Sequence, residues 1–194
     1  MIDFNSNIQI DKIIKKKKNL LCFKFTYNNI NYFGKLFTQE LDNEYTREKN
    51  INIYLNKNIH NYNNFIKLLY YYDNISLNNN LLNYFDYNNN FNLLIFEYFN
   101  SKPLRYYINK LSKKNFNDII LQIKEATFIL KKLNIIHYDL YCQTNVLLCK
   151  LNNKWTLKII DFGLSYIDTD DNTNNDYNTL IESINDFNKK QVLI

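Results

Sequence analysis

Three side chains in the second half of this 194-residue chain have the types and order needed to move a phosphoryl group. They are Asp139, within His137-Tyr138-Asp139-Leu140, then Asn145, then Asp161 at the head of Asp161-Phe162-Gly163. One carboxylate can orient and deprotonate an acceptor hydroxyl. The other carboxylate and the carboxamide oxygen can hold Mg²⁺ against the phosphates of a nucleotide, because that ion takes hard oxygen ligands.

Such groups work only if rigid elements deliver them. The clearest helix runs from about 115 to 134, where Phe116, Ile119, Ile120, Ile123, Thr127, Leu130 and Leu133 recur at spacings of three and four. It leads straight into Ile135-Ile136-His137. Val146–Cys149 and Trp155–Ile160 read as a hairpin around Asn152-Asn153, whose second strand enters Asp161. Leu104–Leu111 reads as a short helix behind Pro103, and a last helix is expected from Asp176 to about Phe187.

The first forty residues alternate short apolar runs with polar turns, which predicts strands near 8–14, 20–27 and 31–38. The turns fall in the lysine run 15–19 and at Asn28-Asn29. From Gln39 to Asn56 the period becomes helical, with Leu41, Tyr45, Glu48, Ile51 and Leu55 on one side, so a carboxylate points inward. Phe65–Tyr72 and Phe91–Tyr98 read as two more strands flanking a long Asn-rich connection.

Composition bounds the rest. At 46% hydrophobic, the chain can bury one core or two small lobes. A net charge of +5 suits anionic ligands such as nucleotides without demanding nucleic acid, and Lys15-Lys16-Lys17-Lys18 reads as a localisation signal or a phosphate-facing turn, or equally as a solvated loop. No apolar run is long enough to span a membrane and no signal peptide pattern opens the chain, so an intracellular, cytoplasmic protein is expected. Cys22, Cys142 and Cys149 have no metal spacing with His60 or His137 and read as packing residues.

The string His137-Tyr138-Asp139-Leu140, Asn145, Asp161-Phe162-Gly163 resembles the catalytic loop and metal-binding turn of the eukaryotic-type protein kinases. The expected elements fall in that family's order over about residues 8–188. The resemblance implies an α+β, bilobal fold in one domain, 1–194. A small five-stranded antiparallel lobe with one helix would occupy 1–99 and a shortened, mainly helical lobe 100–194. It makes Lys35 the lysine on the α- and β-phosphates of ATP and Glu48 its helix partner, with Glu44 as the fallback. Phe96 to Phe99 becomes the hinge, with the backbone of Glu97 and Phe99 on adenine and Leu147 beneath it. Asp139 is then the base, and Asn145 and Asp161 the Mg²⁺ ligands. Asp176 would brace the catalytic loop from below.

The departures are specific. The only glycines are Gly34 and Gly163, so the glycine-rich phosphate loop of the family is absent. Phe33 stands where a small residue roofs the adenine. Asn145 follows Asp139 by six positions instead of five. Tyr138 replaces the arginine that binds a phosphorylated activation loop, which removes that route for regulation at Ser165, Thr169 or Thr173, and Tyr141 replaces a phosphate-contacting lysine. Asp168-x-Asp170-x-Asn172 lacks the glycine and the twelfth-position acid of a calcium loop. The chain stops after one more helix, as in compact kinases similar to the KEOPS-complex kinase and shortened kinase-like proteins of large DNA viruses. The expected activity is transfer from ATP with Mg²⁺ to Ser/Thr hydroxyls of a protein substrate or dedicated protein partner. The alternatives are a pseudokinase that binds nucleotide or partner, and a small-molecule phosphotransferase.

Overall fold

Asparagine rather than glycine makes the turns of this protein. Among the described residues eight that are not glycine have positive φ, and Asn28, Asn29, Asn74, Asn134, Asn152 and Asn153 are among them, whereas neither glycine does. Asparagine tolerates the left-handed region because its short amide bonds locally, so Asn28-Asn29 and Asn152-Asn153 close two-residue hairpins of the kind usually given to Asn-Gly.

The computed structural model describes residues 9–59, 64–77, 84–85, 90–168 and 175–192. The chain divides into two units: Met1–Lys57 with Lys67–Phe99, and Asn58–Ile66 with Asn100–Ile194. The first holds β1 (Gln9–Lys17), β2 (Leu20–Tyr27), β3 (Ile30–Thr38), α1 (Asp42–Asn58), β4 (Leu68–Ile75) and β5 (Phe91–Glu97). Its strands form one antiparallel sheet in the order β1-β2-β3-β5-β4.

Alternation gives that sheet two different faces. Leu21, Phe23, Phe25, Tyr32, Leu36, Phe91, Leu93 and Ile95 form an apolar cluster on one, against which Ile10, Ile13, Tyr84 and Phe85 pack. Gly34 belongs to this face, and a Cβ there would lie 2.5 Å from the Phe23 ring. Phe23 is fully buried and has no room to retreat. Gly34→Ala is therefore expected to destabilise the protein by about 1–3 kcal/mol, the usual cost of overpacking, measured as a fall in urea midpoint at unchanged m-value.

The opposite face carries α1, which buries Tyr45, Glu48, Ile51, Asn52 and Leu55. Three polar ties fix the rotation of the helix. Asn92 of β5 donates to Asp42 at 2.6 Å and accepts from the Asn74 N–H at 2.9 Å. The Tyr45 hydroxyl donates to Asp73 at 2.6 Å, and Lys49 pairs with the same carboxylate oxygen at 2.7 Å. These bonds, the Lys49 one first, hold the Asp73 carboxyl below its ordinary range, while burial and the same Asp73 push the Tyr45 hydroxyl far above its own. A depressed carboxyl pKa stabilises the fold above the unfolded value and loses that contribution as pH falls through the folded one. Hence the stability difference between the protein and Asp73→Asn should shrink as pH drops below about 4, read from paired denaturation curves.

The second unit contains β6 (Lys102–Pro103), α2 (Lys113–Lys132), β7 (Ile135–Ile136), β8 (Val146–Leu151), β9 (Lys154–Ile159), β10 (Tyr166–Ile167) and α3 (Asp176–Val192). Ser112 caps α2 by accepting from the Asn115 N–H, and Asn134, in the left-handed region, ends it. The buried stripe is Ile119, Ile123, Ala126, Thr127 and Leu130. Gln122 ties α2 to the adjoining strand, donating to the Trp155 carbonyl and accepting from the Leu157 N–H, both at 2.9 Å. All three cysteines are buried, and burial pushes the thiols of Cys142 and Cys149 above their ordinary range.

Several expectations need correction. Lys15 to Lys17 lie in β1, which pairs through Lys17 with Leu20, so the turn is only Lys18-Asn19. Pairing with apolar β2 overrides the weak strand preference of lysine, and charge on an edge strand discourages further pairing. Phe65 bridges Ile159 in parallel instead of opening β4, which begins at Leu68. Leu104–Leu111 is not an α-helix but two 3₁₀ turns, Leu104–Tyr106 and Ile108–Lys110. The segment is too short to repay helix nucleation, and its Arg105 N–H is already bonded to the Cys142 carbonyl at 3.2 Å. The Asn tract 78–80, most of 88–90, and Thr169 to Thr173 with the faint calcium-like pattern fall outside the described residues.

Candidate functional site

In the first unit, β3 places Lys35 and α1 places Glu48 so that their side chains meet at 2.6 Å. The pair is 8% and 2% exposed, so each charge depends on the other for compensation. Glu44, the fallback partner, is only half-buried and one turn away on the helix. Beside Lys35 on the same face stand Phe33, its ring 6.1 Å from that of Phe96, and Lys24, which is directly opposite Phe33 across β2 and β3. The Lys24 ammonium lies 3.4 Å from Asp11 and 5.1 Å from the centre of the Tyr98 ring. Lys24 was not anticipated from sequence, because its facing depends on the pairing register. The Glu97 N–H donates to the Lys67 carbonyl at 3.0 Å, and the Glu97 carboxylate accepts from the Lys67 N–H. Phe99, two residues on, is half-buried in irregular backbone.

In the second unit, the chain between β7 and β8 carries Asp139 and Asn145. The additional residue is absorbed in a turn whose Tyr141 carbonyl accepts from both Thr144 N–H, at 3.3 Å, and Asn145 N–H, at 3.1 Å. That turn brings Asn145 back onto Asp139. Its side-chain amide donates at 2.8 Å to the Asp139 carbonyl and at 2.8 Å to an Asp139 carboxylate oxygen. With both N–H bonds spent there, the amide oxygen is the part of that side chain left to accept or to ligate. The Asn145 carbonyl accepts from the Ile160 N–H at 3.0 Å, which seats the residue preceding Asp161 against the same turn.

Asp161 itself sits at φ 66, ψ 70, a left-handed conformation uncommon for a non-glycine residue and often kept for function. Phe162 behind it is fully buried between His137 and Phe65, with ring separations of 4.8 and 6.3 Å. The His137 ring meets the Ile160 carbonyl through Nε2 at 3.0 Å, so that nitrogen is the donor, and Nδ1 is buried with no hydrogen-bond partner among the described residues. Burial holds the imidazole below its ordinary pKa, and it packs as a neutral ring.

Below the loop, the buried Asp176 carboxylate accepts from the His137 N–H at 2.8 Å and the Tyr138 N–H at 3.3 Å. The second of these donors belongs to a left-handed residue, φ 67. Ser183, two turns along α3, accepts from the Cys142 N–H at 3.1 Å. Leu147, on β8 between buried Val146 and Leu148, is half-exposed. Ser165 is fully buried and donates to the His137 carbonyl at 3.1 Å, which makes it a brace of the loop and not an accessible phosphate acceptor.

A carboxylate and an amide oxygen are the donor types taken by a cation that keeps waters and phosphate oxygens in its shell, as Mg²⁺ does. No cluster of three His, Cys, Asp or Glu side chains capable of caging a metal occurs among the described residues. No described helix is long and apolar enough to cross a membrane. The family model described as the protein kinase domain matches residues 24–183, which includes every candidate residue named above except Asp11. A search of curated proteins finds no match.

Proposed function

Because the chain belongs to the protein kinase superfamily, we propose that it transfers the γ-phosphate of ATP to serine or threonine hydroxyls of a protein. The observation that carries this reading is the return of Asn145 to Asp139 across the lengthened loop. That contact holds the Asp139 carboxylate in one orientation, as proton abstraction from a hydroxyl requires.

In this reading Lys35, steadied by Glu48, contacts the α- and β-phosphates, while the backbone of Glu97 and Phe99 and the side chain of Leu147 receive adenine. The Asn145 amide oxygen and the Asp161 carboxylate are the donors for Mg²⁺, which when bound neutralises phosphate charge. Asp139 uses the carboxylate oxygen not engaged by Asn145 to orient the acceptor hydroxyl and take its proton. An aliphatic hydroxyl has little acidity of its own, so a carboxylate aimed by a second side chain is well suited to it. The neutral imidazole of His137 and the Asp176 carboxylate position this loop and touch no reactant.

A second reading, a nucleotide-binding pseudokinase, is favoured by the face beside Lys35. There Phe33 packs against Phe96, and Lys24 stands in the place opposite it. Incubation of the full chain with labelled ATP, Mg²⁺ and a panel of proteins, sugars and amines separates the readings. The kinase reading expects label on serine or threonine. Label on sugars or amines alone would assign a small-molecule phosphotransferase, and a nucleotide-dependent rise in melting temperature without transfer would assign the pseudokinase.

A further inference from the structure

The phosphate-binding device of the first unit has to be something other than a glycine-rich loop. The β1–β2 hairpin closes in two residues, Lys18-Asn19, and the turn is pinned: the Asn19 carbonyl accepts from the Thr38 N–H at 3.0 Å, and its side chain donates to Glu40. A turn so short and so tied cannot fold its amides over a row of phosphates. What β1 presents instead is lysine.

Register decides where those lysines point. Irregularities between Ile10 and Lys12 and between Ile13 and Lys15 each insert an extra residue, Asp11 and Ile14. Ile10 and Ile13 thereby lie opposite Phe25 and Phe23 and pack with the apolar cluster. Lys16, opposite Leu21, stays on that same face, its ammonium 5.9 Å from the centre of the Tyr84 ring. Lys15 and Lys17, opposite Cys22 and Leu20, fall on the other face. Cys22 is in turn opposite Lys35, so Lys15, Cys22 and Lys35 form one row across β1, β2 and β3. Two strand spacings put the two lysine backbones about 10 Å apart, a distance that their long side chains close over a polyphosphate. Lys15 and Lys17 are both exposed, and the nearby Asp11 carboxylate is engaged by Lys24.

We propose that Lys15 and Lys17 are phosphate-binding residues, gripping the β- and γ-phosphates of a nucleoside triphosphate from the same face as Lys35, in place of backbone amides. The inference rests on the nucleotide-dependent reading above and specifies how that nucleotide is held. Each bulge shifts the side-chain alternation by one residue. Continued from Ile13 without the one at Ile14, the register would put Ile14 in the row of Lys35 and turn Lys15 and Lys17 to the other face.

The alternation supplies its own control. Lys15→Thr/Lys17→Thr and Lys16→Thr/Lys18→Thr remove equal charge from the same hairpin, and unliganded melting temperatures check that both fold. Affinities of the full chain for ATP and for adenosine, with Mg²⁺, are then compared. The first pair should weaken ATP binding by about tenfold or more, the effect of losing a charge-assisted contact, and leave adenosine unchanged. The second pair should leave both ligands within about twofold of the parent protein, since Lys16 lies on the opposite face and Lys18 in the turn, outside the row of Lys35. Equal losses in the two pairs would assign the strand to a general cationic surface and overturn the proposal, as would no loss in the first pair. A parent protein that transfers phosphate normally while ignoring Lys15 and Lys17 sinks this inference alone. A parent that binds no ATP sinks the functional reading with it.

Discussion

Asp139→Asn is expected to lower phosphoryl transfer by about 10²–10⁴-fold, the range typical of losing a positioned general base, while ATP affinity stays within a few-fold of the parent. The split follows from geometry. Asn145 donates to both the backbone carbonyl and a carboxylate oxygen of Asp139, so an amide at 139 keeps its shape and can still accept from Asn145. What it cannot do is take a proton. A loss confined to kcat/KM through substrate binding, with kcat intact, would remove Asp139 from the chemical step.

Asp176→Ala should be among the most damaging single changes to stability outside the apolar core. It leaves the His137 and Tyr138 N–H groups, now bonded at 2.8 and 3.3 Å, without their acceptor beneath the loop. The buried His137 donor left unsatisfied costs about 1–3 kcal/mol, and the part-buried Tyr138 donor adds less. For a chain of this length that corresponds to a fall in Tm on the order of 10 °C. Tyr138 is strained at φ 67 and depends on this bond to stay there, so transfer should fall further than the lost stability alone explains. Asp176→Asn, which keeps one acceptor oxygen, should recover part of both losses. Equal stability of the alanine variant and the parent would show that the loop is held by other means.

Much of this arrangement was legible in the residues. Helical spacing in α1 announced Tyr45, Glu48, Ile51 and Leu55 as one buried side, and the long stripe of α2 announced the element that delivers His137. Those signals are periodic and local. What escaped was set by pairing between distant segments. No pattern in Asn64-Phe65-Ile66 shows that it runs beside β9, where the Ile66 N–H donates to the Ile159 carbonyl. Asp73 looks like the end of a strand until Tyr45 and Lys49 are seen bonded to it.

The lysine run is the sharpest case. Composition read it as a turn, yet two bulges and an apolar partner strand make most of it β1, and only the resulting register separates Lys15 and Lys17 from Lys16. The lengthened loop between Asp139 and Asn145 was likewise visible as a count, but not its consequence. A single carbonyl accepting from two successive N–H groups is a solution that sequence does not spell.

On the kinase reading proposed above, Asp139, Asn145 and Asp161 still act together in phosphoryl transfer despite that added residue. Transfer of labelled γ-phosphate from ATP, followed across a Mg²⁺ titration for the parent chain and Asp161→Ala, tests it most directly. The expected result is Mg²⁺-dependent label on serine or threonine with the parent and almost none with the variant at any Mg²⁺ concentration. Transfer by Asp161→Ala at the parent rate, or ATP binding by the parent with no transfer under any condition, would contradict it.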